Sequence, residues 1–310
     1  MRPLLKNKRF VVGVAVVALG GLTLSACGSS DSSSPNTNSK TGTNSFGLKT
    51  VASVQELVPA ALKSKGHISN SIYNDFAPEM FLENGKLVGI QVDLSEAVGA
   101  VMGIELRAVP TGAFDSIIPG LASGRYDMAA ADFGVTAERV KQVDFVTQFD
   151  LGTGFIIKKG NAPINAEADL CGKKVGVLAG SYFVDQVKAA SKNCTDDGSE
   201  ALKISTFPTA SAAILAVTNG RVEIVAEAQD AAGYQVKKQP ALELGTHIAA
   251  PVPQAFGFPK DSKLVPAVQA AMVELVNNGT YKEILAKWGL EDAAYTDASN
   301  IKINNTVPVS

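Results

Sequence analysis

The feature that most constrains this fold is a short pattern that occurs twice. Leu121–Asp127 and Val217–Glu223 each combine a helix end, a glycine turn, an arginine and an acid that opens a strand. Around both copies, short apolar runs typical of buried strands alternate with stretches of helical periodicity. This alternation predicts two similar α/β units with mostly parallel strands. Since ligands of such sheets lie beyond the carboxyl ends of the strands, we expect a site in the cleft between the units.

Local signals set the expected element boundaries. Asn84 and Gly85 predict a hairpin turn, and Asp93 is expected to cap the following helix. Two places are expected to be crossings between the units, because glycine and proline interrupt the apolar pattern there: 152–154 and 251–253. Short strands are predicted on either side of each crossing.

One stretch combines several features of an anion site. The apolar run Asp127–Ala131 predicts a buried strand, Gly134 a turn, and Thr136 the cap of a short helix that contains Arg139. Free backbone N–H groups at a helix start attract anions, and an arginine can grip a carboxylate with two hydrogen bonds. Taken alone, these residues favour the alternative that Arg139 lies on a solvated helix face.

The N-terminus predicts export. Residues 1–26 carry four basic residues followed by an apolar segment, Phe10–Leu24, that is short for a membrane span. Small residues before Cys27 resemble the lipobox of a bacterial lipoprotein, which predicts cleavage and a lipid on Cys27; an ordinary secretory peptide with a chance cysteine is the alternative. Residues 27–49, rich in Ser, Thr, Asn and Gly, are expected to be a flexible tether.

Composition limits the number of domains and the classes of ligand that this chain could bind. A chain of 310 residues with 46% hydrophobic residues and a formal net charge of −2 suits one large or two medium globular domains and gives no basic surface for nucleic acid. His67 and His247 are far apart in sequence, so neither a metal nor a cofactor is expected. After export, Cys171 and Cys194 are expected to form a disulfide, with two buried thiols as the alternative.

The order of motifs resembles the type-3 family of extracellular solute-binding proteins, the amino-acid-binding components of ABC importers. The resemblance covers about 68–290. The motifs that carry it are Phe76-Ala77-Pro78 with Phe81, Gly89 with Asp93-Leu94, Phe114-Asp115 to Asp127, Thr136 with Arg139, Val143-Asp144-Phe145, Asp169-Leu170 to Val175, Gly180-Ser181, and Gly279-Thr280-Tyr281 with Lys287-Trp288-Gly289.

The resemblance implies a two-lobed α/β fold that closes over its ligand. It implies a first lobe of 50–150 plus 252–290, a second lobe of 153–248, and a C-terminal tail of 291–310. It further implies a monomer, anchored by lipid on the outer side of the cell membrane, that delivers an amino acid to an ABC permease. Cys171 and Cys194 also match paired cysteines of one branch of the family, which strengthens the expected disulfide.

The resemblance also implies ligand-binding roles. Arg139 matches the arginine that binds the ligand α-carboxylate, and Gly180 and Ser181 match a contribution from the second lobe. Phe76 and Phe114 match aromatic residues that flank the ligand. The other expected ligand-binding residues are Asp132, Gly134 and Thr136 on the first lobe, and Tyr182 and Glu227 on the second.

Two departures from the family pattern affect the ammonium subsite. The aspartate that usually binds the ammonium is replaced by Ala228, although Glu227 is adjacent, and Gly134 stands where many relatives carry a hydroxyl. Conversely, Asp132 occupies a position that is usually small or hydroxylated. We expect Asp132 to bind the ammonium or a second cation of the ligand; the alternative is that it pairs with Arg139 in the unliganded protein.

Two other function classes are alternatives to a transport receptor. Some proteins on this scaffold are dehydratases of cyclic carboxylates, which would need a general acid or base such as Glu79 or Glu227. A sensor module would need a signalling partner. The sequence therefore predicts a receptor rather than an enzyme, and it leaves the identity of the ligand open.

Overall fold

Two long strands organise the molecule, which we describe from a computed structural model covering residues 45–306. They are β7 and β11, and both are longer than any other strand of the described residues. The elements are α1 Ala52–Leu57, α2 Ala60–Lys65, β1 His67–Tyr73, β2 Asp75–Phe76, β3 Met80–Glu83, β4 Lys86–Val88, α3 Ile90–Met102, β5 Glu105–Thr111, α4 Ile117–Ala122, β6 Met128–Gly134, α5 Ala137–Val140, β7 Val143–Lys158, β8 Lys174–Leu178, α6 Phe183–Asp196, β9 Lys203–Phe207, α7 Ala210–Thr218, β10 Ile224–Ala228, α8 Gln229–Lys238, β11 Leu242–Pro259, α9 Val265–Asn277 and α10 Thr280–Lys287.

The main sheet has eight strands in the order β5-β1-β6-β11-β7-β10-β8-β9. Strands β1, β5 and β6 are parallel to one another, as are β8, β9 and β10. We call the first group, with the adjoining halves of β7 and β11, the first lobe, and the second group with the other halves the second lobe. The prediction of a two-lobed α/β fold is confirmed. The residue limits of the lobes remain a prediction.

The crossings differ from the prediction, because the chain does not break into separate short strands there. β7 and β11 run through both lobes as antiparallel partners, with register shifts between Leu244 and Ile248 and between Ala249 and Val252. A Cβ on Gly152 would lie 2.5 Å from Ile248, and one on Gly154 would lie 3.0 Å from Ala232. These glycines therefore allow close packing within a strand rather than forming a turn.

Helix boundaries follow the predicted signals in some places only. The Thr136 hydroxyl accepts a hydrogen bond from the Arg139 amide, so Thr136 caps α5 as predicted. The prediction that Asp93 caps a helix is wrong, because α3 begins earlier, at Ile90. Asp93 instead accepts hydrogen bonds from Lys287 and Trp288, each at 2.7 Å, which ties α3 to the end of α10.

Both ends of the described chain pack on the first lobe. At the N-terminal end, the Val51 amide donates to the Val101 carbonyl at the end of α3. At the C-terminal end, Ile303 forms a β-bridge with Val146, and the Thr147 amide donates to the Lys302 carbonyl. Residues 291–306, expected to be part of a tail, therefore contact the folded body along β7.

The predicted export signal, residues 1–26 with Cys27, lies outside the described residues, whereas the predicted cysteine pair lies within them. Within 45–306, no helix has the length and apolar character needed to cross a membrane. Cys171 and Cys194 are joined in the structure, with their Cα atoms 5.6 Å apart, which fixes the start of the second lobe to α6.

Candidate functional site

Arg139 lies where the two lobes meet. It is only 8% exposed, so the alternative of a solvated helix face is wrong. Its Nη1 donates to the Gly134 carbonyl at 2.8 Å and its Nη2 to the Gly180 carbonyl at 2.7 Å. Because Gly134 ends β6 and Gly180 follows β8, this one side chain connects the first lobe to the second. Three of the five guanidinium N–H groups remain for a ligand.

Aromatic rings surround the guanidinium. The Arg139 Cζ atom lies 6.0 Å from the ring centroid of Phe114 and 5.7 Å from that of Phe133. Phe114 also packs edge-on against Tyr73, with ring centroids 5.6 Å apart. Burial lowers the pKa of Arg139 to about 10, so the side chain keeps its charge at neutral pH. A desolvated, charged guanidinium flanked by rings binds an anion more strongly than it would in water.

The second-lobe side of the junction is built from residues 180–182. Gly180 has a φ of 74°, and a Cβ there would lie 2.6 Å from the Cβ of Asp115 in the first lobe. The Ser181 hydroxyl donates to the Leu178 carbonyl, which leaves its oxygen lone pairs available. Tyr182 precedes α6, and the amides of Ser181, Val184 and Asp185 already donate to carbonyls of the same turn. The donors that remain at this corner are the Tyr182 and Phe183 amides.

Tyr182 also occupies the space that Gly134 leaves open. A Cβ on Gly134 would lie 2.3 Å from Cδ1 of the Tyr182 ring, so only glycine fits at this position in the closed arrangement. The Tyr182 hydroxyl lies 3.4 Å from the amide nitrogen of Gln254. The departure at Gly134 noted in the sequence thus has a packing reason, namely an aromatic ring from the opposite lobe.

Asp132 lies at an irregular point of β6. Its φ is 50°, and the pairing of β11 with β6 shifts register between Ala255 and Gly257 opposite this part of the strand. Aspartate tolerates this backbone region better than most residues, but strain of this kind concentrates at binding sites. Its Oδ1 is buried without a hydrogen-bond partner. Arg139 donates to carbonyl oxygens instead, so the structure does not show the alternative pairing of Asp132 with Arg139.

Four acidic side chains lie close enough to affect one another's charge, and we call Glu79, Asp132, Asp230 and Glu227 the carboxylate cluster. Glu79, Asp132 and Glu227 are 0%, 6% and 4% exposed. Asp230 is partly exposed as a residue, yet both of its carboxylate oxygens are buried. Burial, followed by the charges of neighbouring acids, raises the pKa of Glu79, Asp132 and Glu227, and the Asp230 charge contributes in each case. Asp230 is thus the centre of the cluster.

Two glutamines hold Glu79 in place. The Gln91 amide nitrogen donates to Glu79 Oε2 at 3.1 Å and to Gln148 Oε1 at 3.0 Å, and the Gln148 amide returns a bond to Gln91 at 2.9 Å. Glu79 Oε1 remains without a partner. The buried amide pair therefore fixes one oxygen of Glu79 and leaves the other directed at the cluster.

Asp230 was not predicted as a site residue, and Glu79 was considered only as a catalytic group. Asp230 follows Ala228 by two residues, at the start of α8, so a carboxylate does reach the region from which the expected aspartate is missing. Glu227 reaches the same region because β10 ends at Ala228. An acid close to the missing position, just past the end of a buried strand, is the signal that could have identified Asp230.

The other predicted residues are also buried. Phe76, Phe114 and Thr136 are each 6% exposed. Next to Phe76, the Asp75 carboxylate accepts hydrogen bonds from the Ser211 amide and hydroxyl at the start of α7. The lobes are therefore joined at this rim as well as at Arg139. The structure brings the predicted site residues to one interface and adds Glu79 and Asp230.

The cluster makes stability dependent on pH. Burial, with the charges of Asp230 and Asp75, raises the pKa of Glu227 to about 8 from an ordinary value of 4.5. Between these values the folded protein binds a proton that the unfolded chain has lost, so this stabilisation is lost as the pH rises toward 8. We expect the free energy of unfolding to fall by up to ~1.4 kcal/mol per pH unit in this window because of Glu227.

Urea unfolding at several pH values, without ligand, checks this expectation. Glu227→Gln should flatten the slope between pH 5 and 8. The matched control is Glu223→Gln, in the same segment, since the Lys174 amide lowers the pKa of Glu223 and moves its titration below this window. An unchanged slope in Glu227→Gln would contradict the assignment.

The carboxylate cluster does not form a metal cage. Across residues 45–306, no group of three or more His, Cys, Asp and Glu side chains is arranged to hold a metal ion.

Comparisons with known proteins place the chain among binding proteins. The family described as bacterial extracellular solute-binding proteins, family 3, matches residues 68–291. The arginine-binding protein ArgT of Corynebacterium glutamicum is 29% identical over 80% of this chain and 82% of its own. An ancestral arginine-binding protein bound to glutamine is 34% identical with a TM-score of 0.66, covering 73% of this chain and 99% of its own. The arginine-, lysine-, histidine-binding protein ArtJ of Geobacillus stearothermophilus is 28% identical with a TM-score of 0.64, covering 72% and 95%.

Proposed function

Since the chain belongs to family 3 of the bacterial extracellular solute-binding proteins, we propose that its cleft captures an amino acid or a related carboxylate-bearing amine for delivery to an ABC transporter. The observation that carries this proposal is Arg139, a buried cation that bonds to both lobes and keeps free N–H donors. A ligand carboxylate at this point would complete the contact between the lobes and favour the closed state.

Each end of the ligand has a distinct environment in this proposal. The carboxylate is bound by Arg139 together with the start of α6 at Ser181 and Tyr182. The ammonium is bound by Asp132, whose buried Oδ1 has no other partner. Phe76 and Phe114 flank the ligand and exclude water. If a ligand lacks one of its two charged groups, closure leaves the matching charge of the protein buried and unpaired. Such a ligand therefore binds with lower affinity.

The export and anchoring of the protein are part of the same proposal. A lipid on Cys27 would hold the body at the outer face of the membrane, where a permease can receive the ligand. The lobe limits 50–150 plus 252–290 and 153–248 are supported by the two register shifts between β7 and β11 that lie between Leu151 and Ile156 of β7. Closure would bend the two strands at these irregular points.

A binding role without catalysis fits the site better than a dehydratase. Relatives are named as binding proteins. Glu79 and Glu227, the acids considered for proton transfer, are buried among like charges, and one oxygen of Glu79 is held by Gln91. Turnover of a cyclic carboxylate such as prephenate by the purified protein would contradict the binding role.

Ligand-induced stabilisation tests the proposed function. Amino acids and related amines would be screened by thermal unfolding of the purified protein, and the proper ligand at about 100 times its Kd should add roughly 2.7 kcal/mol to the free energy of unfolding. Amines of the same length without a carboxylate serve as controls. If no carboxylate-bearing compound raises the melting temperature, the role of Arg139 is wrong.

A further inference from the structure

The acids of the carboxylate cluster differ from three partly buried acids elsewhere in the described residues. Asp127 is paired with Lys65 at 2.7 Å, Asp144 with Lys260 at 2.8 Å, and Asp93 with Lys287 at 2.7 Å. These carboxylates, away from the cleft, each have a lysine partner. The carboxylate cluster has none, since Arg139 is the only buried Lys, Arg or His among residues 45–306 and it bonds to carbonyls.

Individual carboxylate oxygens of the cluster lack hydrogen-bond partners. Glu79 Oε1, Asp132 Oδ1, Glu227 Oε1 and both Asp230 oxygens are buried without a hydrogen-bond partner. Buried unpaired carboxylates are costly, so such groups take up protons or receive a cation. One ammonium at Asp132 neutralises one of them. Glu79 of the first lobe and Asp230 of the second still lie next to each other, since a side-chain contact with Asp230 and its charge help to raise the pKa of Glu79, and the oxygens involved are buried.

We propose that Glu79 and Asp230 together bind a second cationic nitrogen group of the ligand, so that the protein selects ligands with two positive charges. This inference rests on the proposed function and names its substrate class. A guanidinium or ammonium has enough N–H donors to bond to both carboxylates. On binding, it takes the place of the proton that the pair shares, and that proton is released to solvent. Since one acid comes from each lobe, the cation also bridges the lobes.

The groups around the pair determine how its proton is held. They are Asp132 on β6, Gln91 on α3, Glu227 on β10 and Tyr182 before α6. Two of these are acids, one is a neutral amide donor and one a phenol whose pKa is raised by burial. None of them is a cation. Besides Glu79 itself, only the Ala231 and Asp230 amides at the start of α8 favour the charged form of Asp230 among the described residues. A cation on the ligand would therefore be the charge that stabilises both carboxylates in the closed cleft.

A pair of ligands that differ only in charge tests the proposal on the unmodified protein. L-Arginine and L-citrulline have nearly the same shape, but citrulline carries a neutral urea in place of the guanidinium. We expect calorimetry to show that L-arginine binds at least about tenfold more tightly, as a hydrogen bond to a charged group requires. We also expect arginine to release more protons than citrulline, measured in buffers of different ionisation enthalpy.

Variants assign the effect to the pair. Glu79→Gln and Asp230→Asn keep the shape and remove the charge, and each should lower arginine affinity about tenfold or more while changing citrulline affinity little. Glu83→Gln, which removes an exposed charge from nearby β3, is the matched control and should change neither. Equal loss for both ligands in Glu79→Gln would indicate a structural role and overturn the proposal.

The outcomes separate this inference from the proposed function. If citrulline or glutamine binds as tightly as arginine and lysine, the proposed function stands and the second cation subsite is wrong. If agmatine, which is arginine without its carboxylate, binds as tightly as arginine, the cation subsite stands and the carboxylate role of Arg139 is wrong. If no cationic probe binds, the inference is overturned.

Discussion

Replacing Arg139 by lysine is expected to lower the affinity for a carboxylate-bearing ligand by roughly a hundredfold or more, which corresponds to the loss of a buried charged contact. Lysine keeps the charge but cannot donate to Gly134, to Gly180 and to a carboxylate at once, because an ammonium lacks the planar fork of a guanidinium. Calorimetry with the ligand found by thermal screening measures the effect.

Two controls make the Arg139→Lys result specific. Arg125→Lys alters an exposed arginine that stacks on Tyr126 at 5.8 Å, and it should leave affinity unchanged. A ligand analogue without a carboxylate should lose much less affinity in Arg139→Lys than the ligand itself. If both compounds weaken equally, Arg139 acts only by joining the lobes and does not bind the carboxylate.

The second large effect is expected from Gly180→Ala. Its Cβ would lie 2.6 Å from Cβ and 2.8 Å from Cα of Asp115, which belongs to the opposite lobe. The collision exists only when the lobes are together, so it opposes closure. Overpacking of this kind costs roughly 1–3 kcal/mol, and we expect affinity to fall about tenfold or more.

Gly198→Ala separates the collision from backbone strain. Gly198 has a φ of 78°, close to the 74° of Gly180, but a Cβ there meets nothing within 4 Å. Both alanine variants should lose similar stability without ligand, since both bear the left-handed backbone penalty. Only Gly180→Ala should lose affinity. Similar ligand affinities in the two variants would show that the closed contact at Gly180 does not form on binding.

The sequence predicted the two α/β units better than it predicted the continuity of the strands that join them. Alternating patterns were sufficient to identify two α/β units, because each strand and helix buries one periodic face. The sequence predicts a break at Gly152 and Gly154, since two glycines in a strand pattern often indicate an interruption of the strand. Their actual role depends on neighbours from β11 and α8, which local sequence does not reveal.

The carboxylate cluster shows a second limit of local reasoning. Glu79 follows a proline in a turn, where an acid is normally solvated, and its burial comes from Gln91 and Gln148 in distant parts of the chain. Asp230 lies beyond the end of a strand, so strand periodicity could not place its side chain. Arg139 shows the same limit. Its cap residue Thr136 is a local feature, but the local residues alone favour a solvated helix face, and the expected ligand role came from the resemblance to the family.

The attachment of both described chain ends to the first lobe has a mechanical consequence. Val51 is bonded to the end of α3, and Ile303 pairs with β7 within the same lobe. Tension between residues 45 and 306 would therefore pass through the first lobe alone. The second lobe is joined to the first by β7 and β11 and carries none of this tension. It could therefore open and close while the first lobe is held at its ends.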